Sequence, residues 1–224
     1  MGYYINLASI SIDSFKNKLE AAYLPPSRMM LKENTKERFN YFKSIGIGNV
    51  DELLQLLKKK DKLTELSKVS CFSENYLKIL LRELNSIQPK PVMINEFPGV
   101  SSGTIEKLEK AGIKNTVKLF ENVITDTSRK ELAGTTGVDQ EEIIILTKLS
   151  DLSRIKWVGA TFARMLFDLG YDSAEKVSKA NSEELHKKIN QFNKEKNIFK
   201  GQIGLNDIKI VVGTAKELPK DIVL

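Results

Sequence analysis

Apolar positions recur along this chain at helical intervals, and the arrangement returns after a fixed distance. Shifting the sequence by 66 residues lays 45–80 over 111–146 without a gap. Gly46 falls on Gly112, Ile47 on Ile113, Asn49 on Asn115 and Leu53 on Leu119. Glu65 and Leu66 then meet Glu131 and Leu132, and Ile79 and Leu80 meet Ile145 and Leu146. A shorter third copy, 166–177, matches 108–119, with Gly170 over Gly112 and Ser173 over Asn115. Self-similarity at such a period predicts repeated supersecondary units.

Each shared position has a meaning at a helix boundary. Glycine enters the left-handed region without a Cβ penalty, so Gly46, Gly112 and Gly170 are expected to stop helices. Asn49, Asn115 and Ser173, three residues later, are N-cap residue types for the next helix. Leu53 and Leu54, or Leu119 and Phe120, follow as a buried face. Ser73 and Asp139 are expected to cap the last helix of the first two units.

Gln88-Pro89-Lys90-Pro91 cannot continue a helix, because each ring removes a donor and restricts the residue before it. The expected division is therefore an N-terminal module over 1–90 and a C-terminal domain over 91–224. Tyr3–Leu7 and 221–224 are the only strand-like runs, and they are candidates to pair with each other. The fold class expected is all-α, built of tandem helical modules, with at most this one short terminal strand pair.

Composition narrows the classes. Hydrophobic residues make up 41% and charged residues 29% of the 224, the balance of a folded globular chain. Residues 1–92 hold 15 basic and 10 acidic side chains, a net +5, and 93–224 hold 20 and 19, a net +1. That mild excess is compatible with a polyanion partner but equally with none. One cysteine, Cys71, excludes an intramolecular disulfide and points to a reducing compartment. The start of the chain has no basic stretch leading into a long apolar core, and no apolar run approaches a bilayer-spanning length. A cytoplasmic protein without membrane contact is expected.

Two segments carry candidate chemistry. One is Glu96-Phe97-Pro98-Gly99-Val100-Ser101-Ser102-Gly103-Thr104. The other runs from Arg154 through Ile155, Lys156, Trp157, Val158, Gly159, Ala160, Thr161, Phe162 and Ala163 to Arg164. Both resemble the tip of the helix-hairpin-helix motif: apolar, x, Gly, apolar, Gly, then a helix. That resemblance implies DNA-backbone contact, in which glycines admit the phosphate and the amides opening the second helix point at its oxygens. Helix N-termini bind anions in this way generally. The first tip has Ser101 in place of the second glycine, and the second has Trp157 in place of the first. The first unit has only Leu31-Lys32-Glu33-Asn34-Thr35 there. Trp157 reads either as a base-stacking group or as a packed aromatic.

The chain as a whole, over roughly 28–217, resembles an uncharacterised, mainly bacterial family of tandem helix-hairpin-helix proteins, a domain of unknown function of the DUF4332 kind. The stretches that carry this are 130–138, KELAGTTGV, and 149–156, LSDLSRIK, followed by 184–190, ELHKKIN, and 193–196, NKEK. The resemblance implies a fold of small helical modules and no assigned reaction.

Other residues read as structural. His186, the single histidine, lies in a charged helix and is expected to face solvent. Cys71 falls on Gly137 at a turn. One His and one Cys are too few for a zinc site or a Cys–His pair. Asp139, Glu141 and Glu142 open a helix, where the dipole favours carboxylates. Lys58, Lys59, Lys60 and Lys62 either close a helix or contact phosphate. No phosphate loop, dinucleotide fingerprint or nucleophile elbow occurs, so no catalysis, metal or cofactor is expected. The function expected is sequence-independent contact with DNA or RNA backbone. Its residues would be Gly99, Val100, Ser101, Ser102, Arg154, Lys156, Trp157, Val158, Gly159, Thr161 and Arg164. The alternative is a helical scaffold that binds protein partners.

Overall fold

The computed structural model describes residues 2–222. It is all-α: the described residues form thirteen α-helices and three short 3₁₀ turns, with no strand. The chain divides into two compact units, one spanning Asn6–Gln88 and the other joining the residues up to Ile5 to those from Pro89 onward. The sequence places the division at 90/91. The structure puts it at 88/89, and joins residues 2–5 to the later unit.

The unit over 6–88 holds α1 (Ile12–Ala21), α2 (Thr35–Ser44), α3 (Val50–Lys58), α4 (Lys60–Leu66) and α5 (Glu74–Asn85). Its core gathers Phe15, Phe39, Phe42, Leu53, Leu77 and Leu80. The other unit holds α6 (Ser102–Lys110), α7 (Thr116–Phe120), α8 (Asp126–Thr136), α9 (Gln140–Leu152), α10 (Ala160–Asp168), α11 (Ala174–Ser178), α12 (Ser182–Lys196) and α13 (Leu205–Ala215). Leu108, Leu119, Ile143, Leu152, Leu166 and Ile189 lie at its centre.

The three expected glycine stops are built alike. Gly46, Gly112 and Gly170 have φ of +88°, +79° and +84°. After α2, the amides of Gly46 and Ile47 turn back to Lys43 O and Phe42 O, both at 3.0 Å. After α6, Gly112 and Ile113 reach Glu109 O and Leu108 O at 2.9 and 2.8 Å. After α10, Gly170 and Tyr171 reach Phe167 O and Leu166 O, both at 2.9 Å. This bond pair satisfies carbonyls that the end of a helix otherwise leaves open.

The caps follow as expected. Asn49 accepts from Glu52 N at 3.0 Å, Asn115 from Lys118 N at 3.1 Å and Ser173 from Lys176 N at 3.2 Å. Ser73 and Asp139 cap α5 and α9. The first helical amide after each of the former caps also needs an acceptor. Val50 N finds Ile10 O and Thr116 N finds Val92 O, both at 2.9 Å, and Gly48 O and Lys114 O accept in return from Ile12 N and Ile94 N. At the third place a side chain substitutes: Ala174 N donates to Asp151 Oδ2 at 2.7 Å.

That carboxylate is balanced by Arg154, which is 2% exposed. Its Nη1 reaches Asp151 Oδ1 at 2.8 Å, its Nε donates to Tyr3 O at 3.0 Å and its Nη2 to Pro219 O at 2.9 Å. The guanidinium also stacks over Phe120, 4.6 Å from the ring centroid. The expected terminal strand pair is therefore corrected. Tyr3 gives its carbonyl to Arg154, and Leu7–Ser9 is a 3₁₀ turn capped by Asn6. Asp221 and Ile222 are not in a strand, and Val223 and Leu224 lie outside the described residues.

Candidate binding cleft at the Trp157 turn

The two tip segments share a backbone conformation. Gly99 has φ +83° and Trp157, 58 residues on, has φ +69°. In the left-handed region a large side chain costs about 1–2 kcal/mol that glycine avoids. Trp157 is held there by its neighbours. Val158, 3% exposed, donates its amide to Ile155 O at 3.0 Å, and Ile155 is fully buried. The indole cannot follow them inward: it is 38% exposed, with Lys156 Nζ 5.3 Å from its ring centroid.

The turn opens on a cleft of about 440 Å³. Trp157, the cap Gly159 and the start of α10 (Ala160 to Phe162) form part of its lining, and Phe199, Ile203, Ile208 and Val211 form the rest, with Asp207 as the one charged group. Phe199 is 37% exposed. Asn193, buried on α12, fixes its backbone: Asn193 Oδ1 accepts from Phe199 N at 2.7 Å and Nδ2 donates to Phe199 O at 3.2 Å. Gly159 caps α10 with no side-chain acceptor, and it lines the cleft together with Ala160, Thr161 and Phe162.

The first tip is closed by comparison. Ser101 caps α6 by accepting from Thr104 N at 3.1 Å, and the Thr104 hydroxyl donates to the Glu142 carboxylate. Arg164, on α10, lies against the tip. Its Nη1 donates to Pro98 O at 3.3 Å and stands 3.1 Å from where a Cβ on Gly99 would be. The same side chain pairs with Asp168 at 2.8 Å. The structure thus brings the two tips together through Arg164.

The cations singled out in the sequence are largely committed. Arg154 is buried among carbonyls and Asp151, Lys156 is 8% exposed, and Arg164 holds Asp168 and Pro98 O. Gly99, Ser101, Ser102, Trp157, Gly159 and Thr161 are exposed, Val100 is half-buried and Val158 is buried. Sequence reasoning missed Phe199, Ile203 and the α13 wall. The signal available was the apolar stripe of α13, Ile208, Val211 and Val212, following an isolated Phe199.

His186 is half-buried on α12 rather than facing solvent. Cys71 is half-buried, burial pushes its thiol up, and its carbonyl accepts from the buried Arg38 at 2.7 Å. Lys58 ends α3 and Lys60 begins α4. Among the described residues no group of three or more His, Cys, Asp or Glu could hold a metal ion, and no helix is long and apolar enough to cross a membrane.

Residues 98–218 match the family described as a domain of unknown function (DUF4332). The chain belongs to that family. The matched span runs from the Gly99 tip to the segment after α13, so it contains both tips and every residue of the cleft. No curated protein and no solved structure matches the chain.

Proposed function

We propose that this DUF4332 chain is a non-catalytic, helix-hairpin-helix-like interaction module whose Trp157 cleft receives apolar side chains of a protein partner. The observation that carries this reading is the pairing of Trp157 and Phe199, both more than a third exposed, on one apolar cleft. Burying aromatic surface is worth about 25 cal/mol per Å², and exposed aromatics at a concave site are the usual anchors of protein interfaces. The charges argue in the same direction. A phosphate reaching the turn would meet Asp207 in the cleft and Asp168 beside Arg164, with few uncommitted cations to offset them.

A second reading, contact with nucleic-acid backbone, is favoured by one feature: α10 follows a tip of helix-hairpin-helix form and begins without a side-chain cap. One reagent separates the two, because Trp157 is the only tryptophan and its emission reports on the cleft alone. Duplex and single-stranded DNA at about 50 mM salt are expected to leave that emission unchanged. A photo-cross-linker placed at Thr161 is expected to give a nuclease-resistant protein adduct in source-cell extract, which Phe199→Asp abolishes. Saturable quenching by DNA that weakens steeply with salt, or an adduct indifferent to Phe199→Asp, would overturn the protein-partner reading.

A further inference from the structure

A second cleft, of about 480 Å³, lies on another part of the same unit. Lys148 and Asp151 of α9, Asp172 to Lys176 and Lys179 around α11, and Leu218 to Lys220 with Ile222 after α13 line it. The volume is within the range of small-molecule sites, roughly 300–1,000 Å³. Its charges are organised in two triplets. Asp172 takes Lys148 on Oδ2 at 2.7 Å and Lys176 on Oδ1 at 2.6 Å. Glu175 Oε1 takes both Lys179 at 2.8 Å and Lys220 at 3.2 Å.

Each carboxylate is therefore shared by two ammonium groups. Four lysines against Asp172 and Glu175 leave 4 − 2 = +2. Asp151 adds nothing, because Arg154 Nη1 at 2.8 Å and Ala174 N at 2.7 Å already meet its oxygens. Asp221, buried beside Asp151, lowers the sum to +1. The lysines hold both acidic partners in the ionised form. Burial pushes Asp172 up, but Lys148 and Lys176 outweigh it and keep its carboxyl below the usual range, and Lys179 and Lys220 lower Glu175.

An ammonium has three N–H donors, and each of these four gives one to a carboxylate. A ligand can join the triplets without displacing them if it brings several acceptor oxygens. A single charge would gain little, since exposed ion pairs contribute about 0–1 kcal/mol. A group with two or more charges has an acceptor for lysines of both triplets, which line the one cleft. Phosphate oxygens suit ammonium point charges, and Ala215, Leu218 and Ile222 offer an apolar wall for the rest of a molecule.

We infer that this lysine-lined cleft is a binding site for a small, multiply charged phosphate compound, separate from the Trp157 cleft and independent of what that cleft binds. The test uses the full chain and inorganic pyrophosphate, titrated calorimetrically at low salt, with acetate as the monovalent control. Pyrophosphate is expected to bind saturably and acetate not at all. Lys179→Gln combined with Lys220→Gln should weaken binding at least about tenfold, as expected for two lost charge-assisted bonds. Glu175→Gln should tighten it, a gain that misfolding cannot imitate. Lys58→Gln, in the other unit, should change nothing. No saturable heat, no effect of the double variant, weaker binding by Glu175→Gln, an equal loss in Lys58→Gln, or displacement of pyrophosphate by duplex DNA would each overturn the assignment.

Discussion

Arg164 lies against Gly99, its Nη1 3.1 Å from the place a Cβ would take. Gly99 also has φ +83°, so two independent restrictions meet at one residue. Gly99→Ala is expected to lose about 1–2 kcal/mol to backbone strain, and more where the guanidinium cannot give way. Chemical denaturation checks this. Pairing the change with Arg164→Ala should recover only the steric part and leave the strain. Full recovery would mean the backbone tolerates alanine there.

Trp157 has the same left-handed conformation without glycine's freedom. Trp157→Gly is therefore expected to keep or raise stability, by up to about 1–2 kcal/mol, while removing the aromatic wall of the cleft. Most substitutions of a large aromatic destabilise. A thermal melt showing a clear loss would mean that the indole packs more than its 38% exposure indicates.

Arg154→Met removes the partner of a buried carboxylate. Asp151 would keep Ala174 N but lose the guanidinium, and Tyr3 O and Pro219 O would lose their donor. A change of this kind typically costs about 3–5 kcal/mol. Arg154→Met with Asp151→Asn should cost less than Arg154→Met alone, because no charge is left stranded. Urea unfolding of the unaltered protein, Arg154→Met, Asp151→Asn and the double variant decides it, and strict additivity would show that the pair does not act as a unit.

Asp151 titrates high because it is buried, against the pull of Ala174 N and Arg154, with Asp221 adding to the rise. Asp221 is itself 8% exposed, and its Oδ2 has no hydrogen-bond partner. A carboxyl whose pKa is raised by folding stabilises below its unfolded value, about 3.9, and that contribution is lost as pH rises through the folded value. Asp221→Asn removes the neighbouring charge. It is expected to raise the melting temperature at neutral pH more than at pH near 4. An equal shift at both, or a fall at neutral pH, would contradict the coupling.

The parts of the fold that were legible in the sequence are those decided by a few adjacent residues. The stops at Gly46, Gly112 and Gly170 and the caps Asn49, Asn115 and Ser173 follow from backbone geometry and short-range hydrogen bonding, which do not depend on the rest of the chain. Arg154 could not be placed in that way. Whether an arginine faces solvent or is buried depends on carbonyls at positions 3 and 219, and nothing near 154 announces them. The strand pair failed for the same reason, since Tyr3 O was taken from a distance. The Trp157 cleft was half visible: its turn is local, whereas its second wall comes from residues 199–211.

The buried Arg154 has one practical consequence for anyone dissecting this molecule. It fastens a residue near the beginning of the chain and one near the end to the same side chain, so the stretch matched to the family is shorter than the piece that closes on itself. Expressing 98–218 alone would strip away Tyr3 and Pro219, leaving the guanidinium short of two acceptors and opening the hydroxyls of Thr116 and Ser153 that Tyr3 covers. A fragment that keeps the first five residues, joined by a short linker to residue 89, is the one that should survive excision.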